Sequence, residues 1–499
     1  MINRCRGTYM GKKVEVRHMK KSFSEGPACK FRWRYILAAI VLSAIYVIAG
    51  TVLSYVRQPG VSQEYKDMFD PKDCYSDEIS CDRACVIEDN EQALEERLRM
   101  IGQAKERIIL STFDFHADKS GKDMIAALMD AAKRGVDVKI LVDGFSALQQ
   151  MDGNAYFYAL STTRNVEIRV YNRINLLMPW KSMGRLHDKY VIADEGLYLL
   201  GGRNMYDYFL GDSGYRNYDR DVLVYSRSPQ DKRSSIHQLE DYFESVWNLD
   251  ECRAFHASPG AVSSGKVSEA GKELEQRYRD MLRKYPVIDE RADYEGMTYE
   301  VNKITLLSNP VHVYSKEPRV FYSLTELMKD TEEDISIHTP YIICNDWMYE
   351  SLKSVCAGSG KAALMTNSVA NNGNPFGASD YKINKEKLLE TGITVYEYEG
   401  GVSYHGKSVT IGDDISIIGS FNMDMRSTYL DTELMLVIDS EDVNSQLKGY
   451  MREYEAESVR VLDADAYDIP EGVTRQEISS KREFRVKVLT PFNWLRFLM

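Results

Sequence analysis

The chain has 499 residues, a net charge of −12 and 44% hydrophobic residues. This composition is typical of a folded protein with more than one domain core, and it excludes a disordered chain. The acidic balance argues against a general nucleic-acid binder, because such proteins carry a basic footprint. The charge is uneven, since residues 1–34 hold ten Lys or Arg and only two acids.

An uncharged stretch of 22 residues follows at 35–56. A helix of this length measures about 33 Å, enough to span a hydrocarbon core of roughly 30 Å. A cleaved signal peptide is disfavoured because its apolar region is usually shorter, and a soluble core helix is seldom apolar on all sides. We expect a single-pass helix in the cell membrane. The basic flank predicts a cytoplasmic 1–34 segment and an extracytoplasmic catalytic region after Arg57.

Residues 57–88 are predicted to form a stalk that contains Cys74, Cys81 and Cys85. An extracytoplasmic location permits a disulfide among them. The spacing lacks a nearby fourth ligand and is a poor zinc site. We therefore expect a local disulfide and a spare thiol.

The rest of the chain repeats one order of elements. The order is strand, helix, strand, strand and a segment that contains a His. In the first half these elements are predicted at 107–115, 121–134, 137–143, 166–171 and 186–207. In the second half they are predicted at 334–341, 345–356, 362–366, 393–398 and 404–426. This alternation predicts an α/β fold with two βα repeats, each a mostly parallel mixed sheet flanked by helices. The halves, 89–256 and 301–499, would be related by a pseudo-twofold axis.

Two further segments lie outside the repeats. Residues 257–300 begin with a Ser/Gly-rich stretch and continue as a charged helical pattern, which predicts a linker with a surface helix. The last 13 residues, KVLTPFNWLRFLM, are basic and aromatic. They would either enter a membrane interface or pack on the domain surface.

Each half carries a His-x-Lys motif, His187 with Lys189 and His405 with Lys407. Strand alternation places the His and the Lys on one face, so both can approach one anion. A His attacks phosphorus or protonates a leaving alkoxide near neutral pH, and a Lys stabilises the charge on the phosphoryl oxygens. In the first half Asp194 follows at the fifth position after the Lys.

The sequences that follow the two motifs are also similar to each other. Residues 201–204 (GGRN) match 419–422 (GSFN), and 219–224 (DRDVLV) match 431–436 (DTELML). A duplicated scaffold with incidental His and Lys residues does not explain similarity over so many positions. The pattern indicates one site built from both halves.

These motifs resemble the phospholipase D superfamily, whose signature is a paired HxKxxxxD motif. A closer resemblance is to a bacterial cardiolipin synthase class. It rests on the segments RLHDKYVIAD, LLGGRNMYDYFLG and GSFNMDMRSTYLDTELML. The resemblance implies a phosphohistidine intermediate, with His187 as nucleophile, His405 as general acid and base, and neither metal nor cofactor. It further implies a catalytic set of His187, Lys189, Asp194, His405 and Lys407, phosphate-binding Asn204, Asn422 and Ser420, and histidine-orienting Asp221 and Glu433.

The second motif departs from the family pattern, because Gly412 occupies the Asp position and Asp413 follows one residue late. Either Asp413 serves after a small shift, or this half does without the carboxylate. His116 and His338 are expected to be structural, with the edge of the site as the alternative. The stretch 175–183, with Trp180, would line an acyl-chain entrance or belong to the core; its place just before the first motif favours the entrance.

The leading functional hypothesis is phosphatidyl transfer from phosphatidylglycerol, or also phosphatidylethanolamine, to a glycerol-headgroup lipid in the membrane. Lipid hydrolysis through the same intermediate is the alternative. A membrane-tethered nuclease is less favoured by the acidic composition, so nucleic acid is not the expected partner. A non-catalytic scaffold is supported only by Gly412.

Overall fold

The protein is described by a computed structural model over residues 27–255, 262–329, 331–358 and 360–499. Most of the predicted cytoplasmic segment and the first residues of the predicted linker lie outside these ranges. The chain divides into two compact units, 1–49 and 50–499. Helix α1 (Pro27–Leu53) contains the apolar stretch Trp33–Leu53, with a mean hydropathy of 2.6. It ends three residues before the predicted boundary at Val56.

The first half is built on a nine-stranded sheet in the order β10-β1-β8-β6-β5-β2-β3-β4-β9. The strands of this half are β1 (Asp82–Ile87), β2 (Arg107–Thr112), β3 (Asp137–Asp143), β4 (Val166–Tyr171), β5 (Tyr190–Ala193), β6 (Leu197–Gly201), β7 (Asn217–Tyr218), β8 (Asp221–Ser226), β9 (Cys252–Ala254) and β10 (Tyr299–Glu300). The β2–β3 and β3–β4 pairs are parallel, whereas the other pairs in the sheet are antiparallel.

The second half repeats this arrangement in the order β11-β20-β18-β17-β12-β14-β15-β21-β22. Its strands are β11 (Lys303–Ser308), β12 (Ile335–His338), β13 (Ile342–Ile343), β14 (Ala362–Asn367), β15 (Thr394–Tyr398), β16 (Ser403–Tyr404), β17 (Ser408–Ile411), β18 (Ile415–Gly419), β19 (Met423–Asp424), β20 (Leu434–Asp439), β21 (Ser458–Val461) and β22 (Tyr467–Asp468). Its parallel pairs, β12–β14 and β14–β15, correspond to those of the first half. The predicted duplicated α/β fold is confirmed, but the expectation that each sheet is mostly parallel is wrong. In these two sheets the parallel pairs are joined through a helix, whereas strands joined by short turns, such as β5–β6 and β17–β18, pair antiparallel.

Helices cover the sheets because the central strands are apolar on both faces. After α1 the helices are α2 (Gln63–Met68), α3 (Asn90–Gln103), α4 (Lys119–Arg134), α5 (Gly144–Ser146), α6 (Ala155–Ser161), α7 (Asp207–Leu210), α8 (Ile236–Trp247), α9 (Ser264–Lys284), α10 (Tyr294–Met297), α11 (Arg319–Lys329), α12 (Asp346–Gly358), α13 (Pro375–Leu389), α14 (Met425–Tyr429), α15 (Glu441–Glu455) and α16 (Ser480–Leu489). Local signals fix their ends: Asp118 caps α4 by accepting from Gly121 N, and Gly135 terminates it at φ 105°.

The predicted stalk and linker both contribute to the folded body. Strand β1 lies within 57–88 and pairs with β8 along its whole length. Helix α9 buries Leu274 and Met281 against the first-half core, since its apolar residues recur on one face. These segments were predicted from composition, which does not reveal a strand or helix face supplied to a distant sheet.

The expected disulfide in the stalk is wrong. Cys74, Cys81 and Cys85 are all free thiols. Cys74 packs in the second-half core, whereas Cys85 lies on β1 in the first-half core. Because these residues belong to different cores, the short spacing between them in sequence does not bring their sulfur atoms together.

The two halves share one apolar core and meet along two short backbone contacts. The shared core contains Leu186 and Tyr190 from the first half and Ile418 and Leu434 from the second. Parallel pairing joins β16 to β7, and an isolated parallel bridge joins Leu186 to Thr432. Each contact lies next to one His-x-Lys motif, so the interface between the halves positions both motifs.

Candidate active site

The first motif lies directly before β5 and directly after the bridge from Leu186 to Thr432. The His187 backbone N–H donates to Thr432 Oγ1 at 3.0 Å, which fixes the motif to the opposite half. Lys189 is fully buried, and its ammonium group donates to the His187 carbonyl oxygen.

The second motif follows β16 and leads into β17. The His405 backbone N–H donates to the Tyr218 carbonyl oxygen at 2.6 Å. Lys407 is buried, and its Nζ lies 2.5 Å from His405 Nδ1 and 3.3 Å from Nε2. The structure thus brings both predicted histidines and both lysines to the interface between the halves.

Each histidine is oriented by a carboxylate of the opposite half. His187 Nδ1 lies 2.8 Å from Glu433 Oε1, and His405 Nδ1 lies 2.6 Å from Asp219 Oδ2. Both carboxylates are fully buried. Because Nδ1 is engaged in each ring, Nε2 is the nitrogen left for chemistry.

Asp221, predicted to orient a histidine, does not do so. Its carboxylate is buried between Arg97 and Arg203, at 3.0 and 3.1 Å. The strand register gives the reason: Gly201 pairs with Asp221, whereas the corresponding Gly419 pairs with Met435. The true counterpart of Glu433 is therefore Asp219, two residues earlier. Residues two apart face the same side of a strand, so alternation alone could not reveal the shift.

Asp194 also lies outside the site. It occupies the turn after β5 at φ 53°, and its carboxylate accepts from the backbone N–H groups of three consecutive residues, Lys105 to Arg107. Gly412 holds the equivalent turn at φ 52°, while Asp413 points outward and pairs with Lys448. The second half therefore keeps the turn without the carboxylate, and Asp413 does not replace it.

Asp194→Ala is expected to lower the free energy of unfolding by about 1–3 kcal/mol, because backbone donors lose a charged acceptor and a left-handed turn loses a favourable residue. The rate per folded molecule should not change. Chemical denaturation with activity measured on the same samples checks both values. Asp413→Ala is the matched control, and a loss of rate without loss of stability would contradict the structural role.

The three predicted phosphate-binding residues differ in position. Asn204 lines the cleft between the histidines, and Asn422 donates to the Tyr341 hydroxyl at 3.2 Å. Ser420 is fully buried and donates to Glu433 Oε2 at 2.5 Å. Ser420 therefore supports the carboxylate that orients His187, because its hydroxyl donates to that carboxylate.

The histidine cleft, a cavity of about 530 Å³ containing His187 and His405, opens between the halves. Its described lining contains no Asp or Glu, although the chain as a whole is acidic. The lining residues are Phe113, His187, Asn204, Tyr206, Tyr208, Phe209, Tyr215, Asn217, Pro340, Tyr341, Asn367, Asn372, Gly373, Asn374, Ser403, His405, Arg482 and Arg485. This lining favours an anionic ligand.

The electrostatics of the two histidines differ. Burial and Lys407 lower the pKa of His405 to about 4, and burial with Lys189 lowers that of His187 well below its usual value. Burial would raise the pKa of Asp219, but Lys407 and His405 outweigh it and lower the pKa to about 2. Burial instead raises the pKa of Glu433 well above its usual value. Asp219 is thus the stronger anion of the two.

His116 and His338 are not among the described residues that line the histidine cleft. His116 Nε2 lies 2.9 Å from Asp114 and the ring stacks on Tyr206, a lining residue. His338 is buried beside Glu455. His338 therefore lies away from the described lining, whereas His116 lies one residue behind it, so both the structural role and the edge of the site remain predictions for His116.

The stretch 175–183 lies against the end of α1 and exposes apolar side chains. Trp180 and Leu176 are exposed, and the Trp180 carbonyl oxygen accepts from the Tyr55 hydroxyl at 2.6 Å. None of the described residues of this stretch lines the histidine cleft. It is therefore neither core nor the immediate wall of the site.

Sequence reasoning missed Asp219, Tyr341, Arg482 and Arg485. Asp219 could have been found from the sequence, because it lies in the repeated segment 219–224. The alignment of this segment with 431–436 was wrong by two residues. The two arginines belong to the C-terminal segment, which has no counterpart in the first half and so no repeat signal.

The duplicated sheets and the paired His-x-Lys motifs at their interface define an enzyme of the phospholipase D superfamily. Residues 98–247 and 324–454 match the family described as "Cardiolipin synthase, PLD-like domain". The chain belongs to this family.

Similar proteins agree with this assignment. The chain is 24% identical over 458 residues to cardiolipin synthase C of Escherichia coli K12, covering 82% of this chain and 95% of that protein. It is 23% identical over 408 residues to a cardiolipin synthase of Clostridium perfringens, covering 79% of this chain and 75% of that protein. The solved structure of phosphatidylserine synthase from Haemophilus influenzae shares the fold, with a TM-score of 0.60 and 14% identity over 83% of this chain and 95% of that one.

Proposed function

We propose that the chain is a membrane-anchored phosphatidyltransferase that joins two phospholipids through a phosphohistidine intermediate. One observation carries the proposal: two histidines line one acid-free cleft, and each is held by a carboxylate from the opposite half. The names of the similar cardiolipin synthases support cardiolipin as the product, and we propose phosphatidylglycerol, or also phosphatidylethanolamine, as the donor and a glycerol-headgroup lipid as the acceptor.

In the first step His187 Nε2 attacks the donor phosphorus. A P–N bond forms, the P–O bond to the leaving glycerol breaks, and His405 Nε2 gives the leaving oxygen a proton. In the second step His405 Nε2 takes the proton of the acceptor hydroxyl, whose oxygen forms the new P–O bond as the P–N bond breaks. Lys189 and Lys407 stabilise the charge on the phosphoryl oxygens.

The division of roles between the histidines follows from their carboxylates. The ionised Asp219 stabilises a positive charge on His405, which the general acid must carry. A bound phosphodiester anion favours the same protonated form and offsets the low pKa of the empty site. Burial and Lys189 lower the pKa of His187, which favours its neutral form, and an Nδ1–H that donates to Glu433 leaves the lone pair on Nε2 for attack.

Helix α1 supports the anchor. Its apolar stretch Trp33–Leu53 has 21 residues and measures about 31 Å at 1.5 Å per residue, enough for one crossing. The basic residues before it favour a cytoplasmic N-terminus and an extracytoplasmic catalytic body. An anchored site meets its lipid substrates at high effective concentration.

The test is incubation of the detergent-solubilised full chain with phosphatidylglycerol, with and without phosphatidylethanolamine, followed by mass spectrometry of the lipids. Cardiolipin is the expected product, and His405→Ala is the matched inactive control. Phosphatidic acid alone would replace the transferase with a hydrolase. With no lipid product, cleavage of single-stranded DNA or RNA would identify a nuclease.

A further inference from the structure

One wall of the histidine cleft is formed by the C-terminal helix α16, outside the repeated halves. Arg482 and Arg485, one helical turn apart, both line the histidine cleft. Val486, the residue after Arg485, is buried and anchors the helix on α13, because the Ser379 hydroxyl donates to the Val486 carbonyl oxygen at 3.4 Å. The arginines therefore face the cleft because the helix is fixed from its other side.

Neither arginine forms an ion pair within the described part of the chain. Arg482 donates to the Ala370 carbonyl oxygen on a loop whose Asn372 and Asn374 also line the cleft. Partial burial lowers the pKa of the Arg482 guanidinium, but the group stays charged at neutral pH. By contrast Lys487 on the same helix pairs with Glu483. Two guanidinium groups thus face an acid-free cleft with no counter-charge.

The reacting phosphate does not need these arginines. Lys189 and Lys407 already lie beside the two histidines, where that phosphate binds. A second pair of cations in the same cleft indicates a second anionic group, and guanidinium groups bind phosphate oxygens in a bidentate manner.

We infer that Arg482 and Arg485 form a second phosphate subsite, which holds the phosphodiester of an anionic acceptor lipid while its hydroxyl attacks the phosphohistidine. The inference rests on the proposed function and names the residues that select a phospholipid acceptor over water or a neutral alcohol. In the transfer step the acceptor oxygen forms the P–O bond, the P–N bond to His187 breaks, and the proton moves to His405.

The same C-terminal segment exposes an apolar surface suited to a lipid acceptor. Phe484, Val488, Phe492 and Trp494 are exposed. The segment also packs with the region just after α1, because Leu498 and Tyr55 belong to the same apolar core. Arg426 ties this segment to the stretch before the first motif by donating to the carbonyl oxygens of Leu498 and Met183 at 3.0 and 2.8 Å. Exposed aromatic and aliphatic side chains of this kind are suited to contact with the acyl chains of a lipid acceptor.

The test compares two acceptors that compete for one intermediate. The full chain and Arg482→Gln/Arg485→Gln receive phosphatidylglycerol together with butanol, and the ratio of cardiolipin to phosphatidylbutanol is measured. The ratio is expected to fall about tenfold, because only the lipid acceptor carries a phosphate. Arg485→Gln alone, at an exposed position, should give part of this fall and guards against misfolding. Lys481→Gln/Lys487→Gln, with the same change of charge on the same helix, should leave the ratio unchanged.

Each other outcome overturns the inference. An unchanged ratio in an active double variant, or an equal fall of both products, removes the acceptor subsite and leaves the proposed function standing. A wild-type chain that forms neither product overturns the proposed function, and the subsite with it.

Discussion

His187→Ala is expected to abolish lipid transfer, with a fall in rate on the order of 10⁶-fold, as removal of a covalent nucleophile causes in other enzymes. The structure leaves no substitute, because His405 Nδ1 is engaged by Asp219 and its Nε2 is assigned to proton transfer. Covalent labelling by phosphatidylglycerol with a radioactive phosphate should disappear. The measurement is radioactivity retained on the denatured protein, together with the lipid products.

His405→Ala separates the two roles. With phosphatidylglycerol it should be almost inactive, because the leaving glycerol oxygen needs a proton. With a phosphatidyl donor whose leaving group is p-nitrophenol, no proton is needed, and the variant should release one equivalent and remain labelled. His237→Ala is the control, since that residue lies on α8 beside Glu240. If the His187→Ala variant became labelled and the His405→Ala variant did not, the assigned roles would be reversed.

The fold was predictable because its signal is repeated. Each half shows the same order of strands and helices, and β3 and β4 begin and end at the predicted residues. The paired motifs were predictable for the same reason, since a second copy makes an accidental His-x-Lys pattern improbable. What the repeat could not give is which residues of one half contact the other.

The shifted assignment of Asp221 shows this limit in physical terms. The sequence offers an acid-x-acid pattern in both halves, and either acid of each pair faces the same side of the chain. Only the pairing of Gly201 and Gly419 with their neighbouring strands reveals the offset of two residues. Arg482 and Arg485 were beyond reach for a different reason: they reach the histidine cleft through tertiary packing of a segment that the repeat does not contain.

Asp219→Asn and Asp221→Asn are expected to fail in different ways. Asn at 219 keeps the shape of the side chain but removes the charge that stabilises protonated His405, so the rate per folded molecule should fall about 10⁴-fold, as in other His–Asp pairs. The p-nitrophenyl donor should restore the first step, because that step no longer needs an acid. A purely structural role for Asp219 would not produce this dependence on the leaving group.

Asp221→Asn should instead lower the free energy of unfolding by about 3–5 kcal/mol, because Arg97 and Arg203 are left buried without their anion. Its rate per folded molecule should stay near the wild-type value. Chemical denaturation and activity below both unfolding midpoints measure the two effects separately. If Asp221→Asn lost activity while Asp219→Asn kept it, the orientation of His405 by Asp219 would be wrong. The two substitutions are chemically identical and lie two residues apart, so the difference between them can come only from which positive group each carboxylate faces.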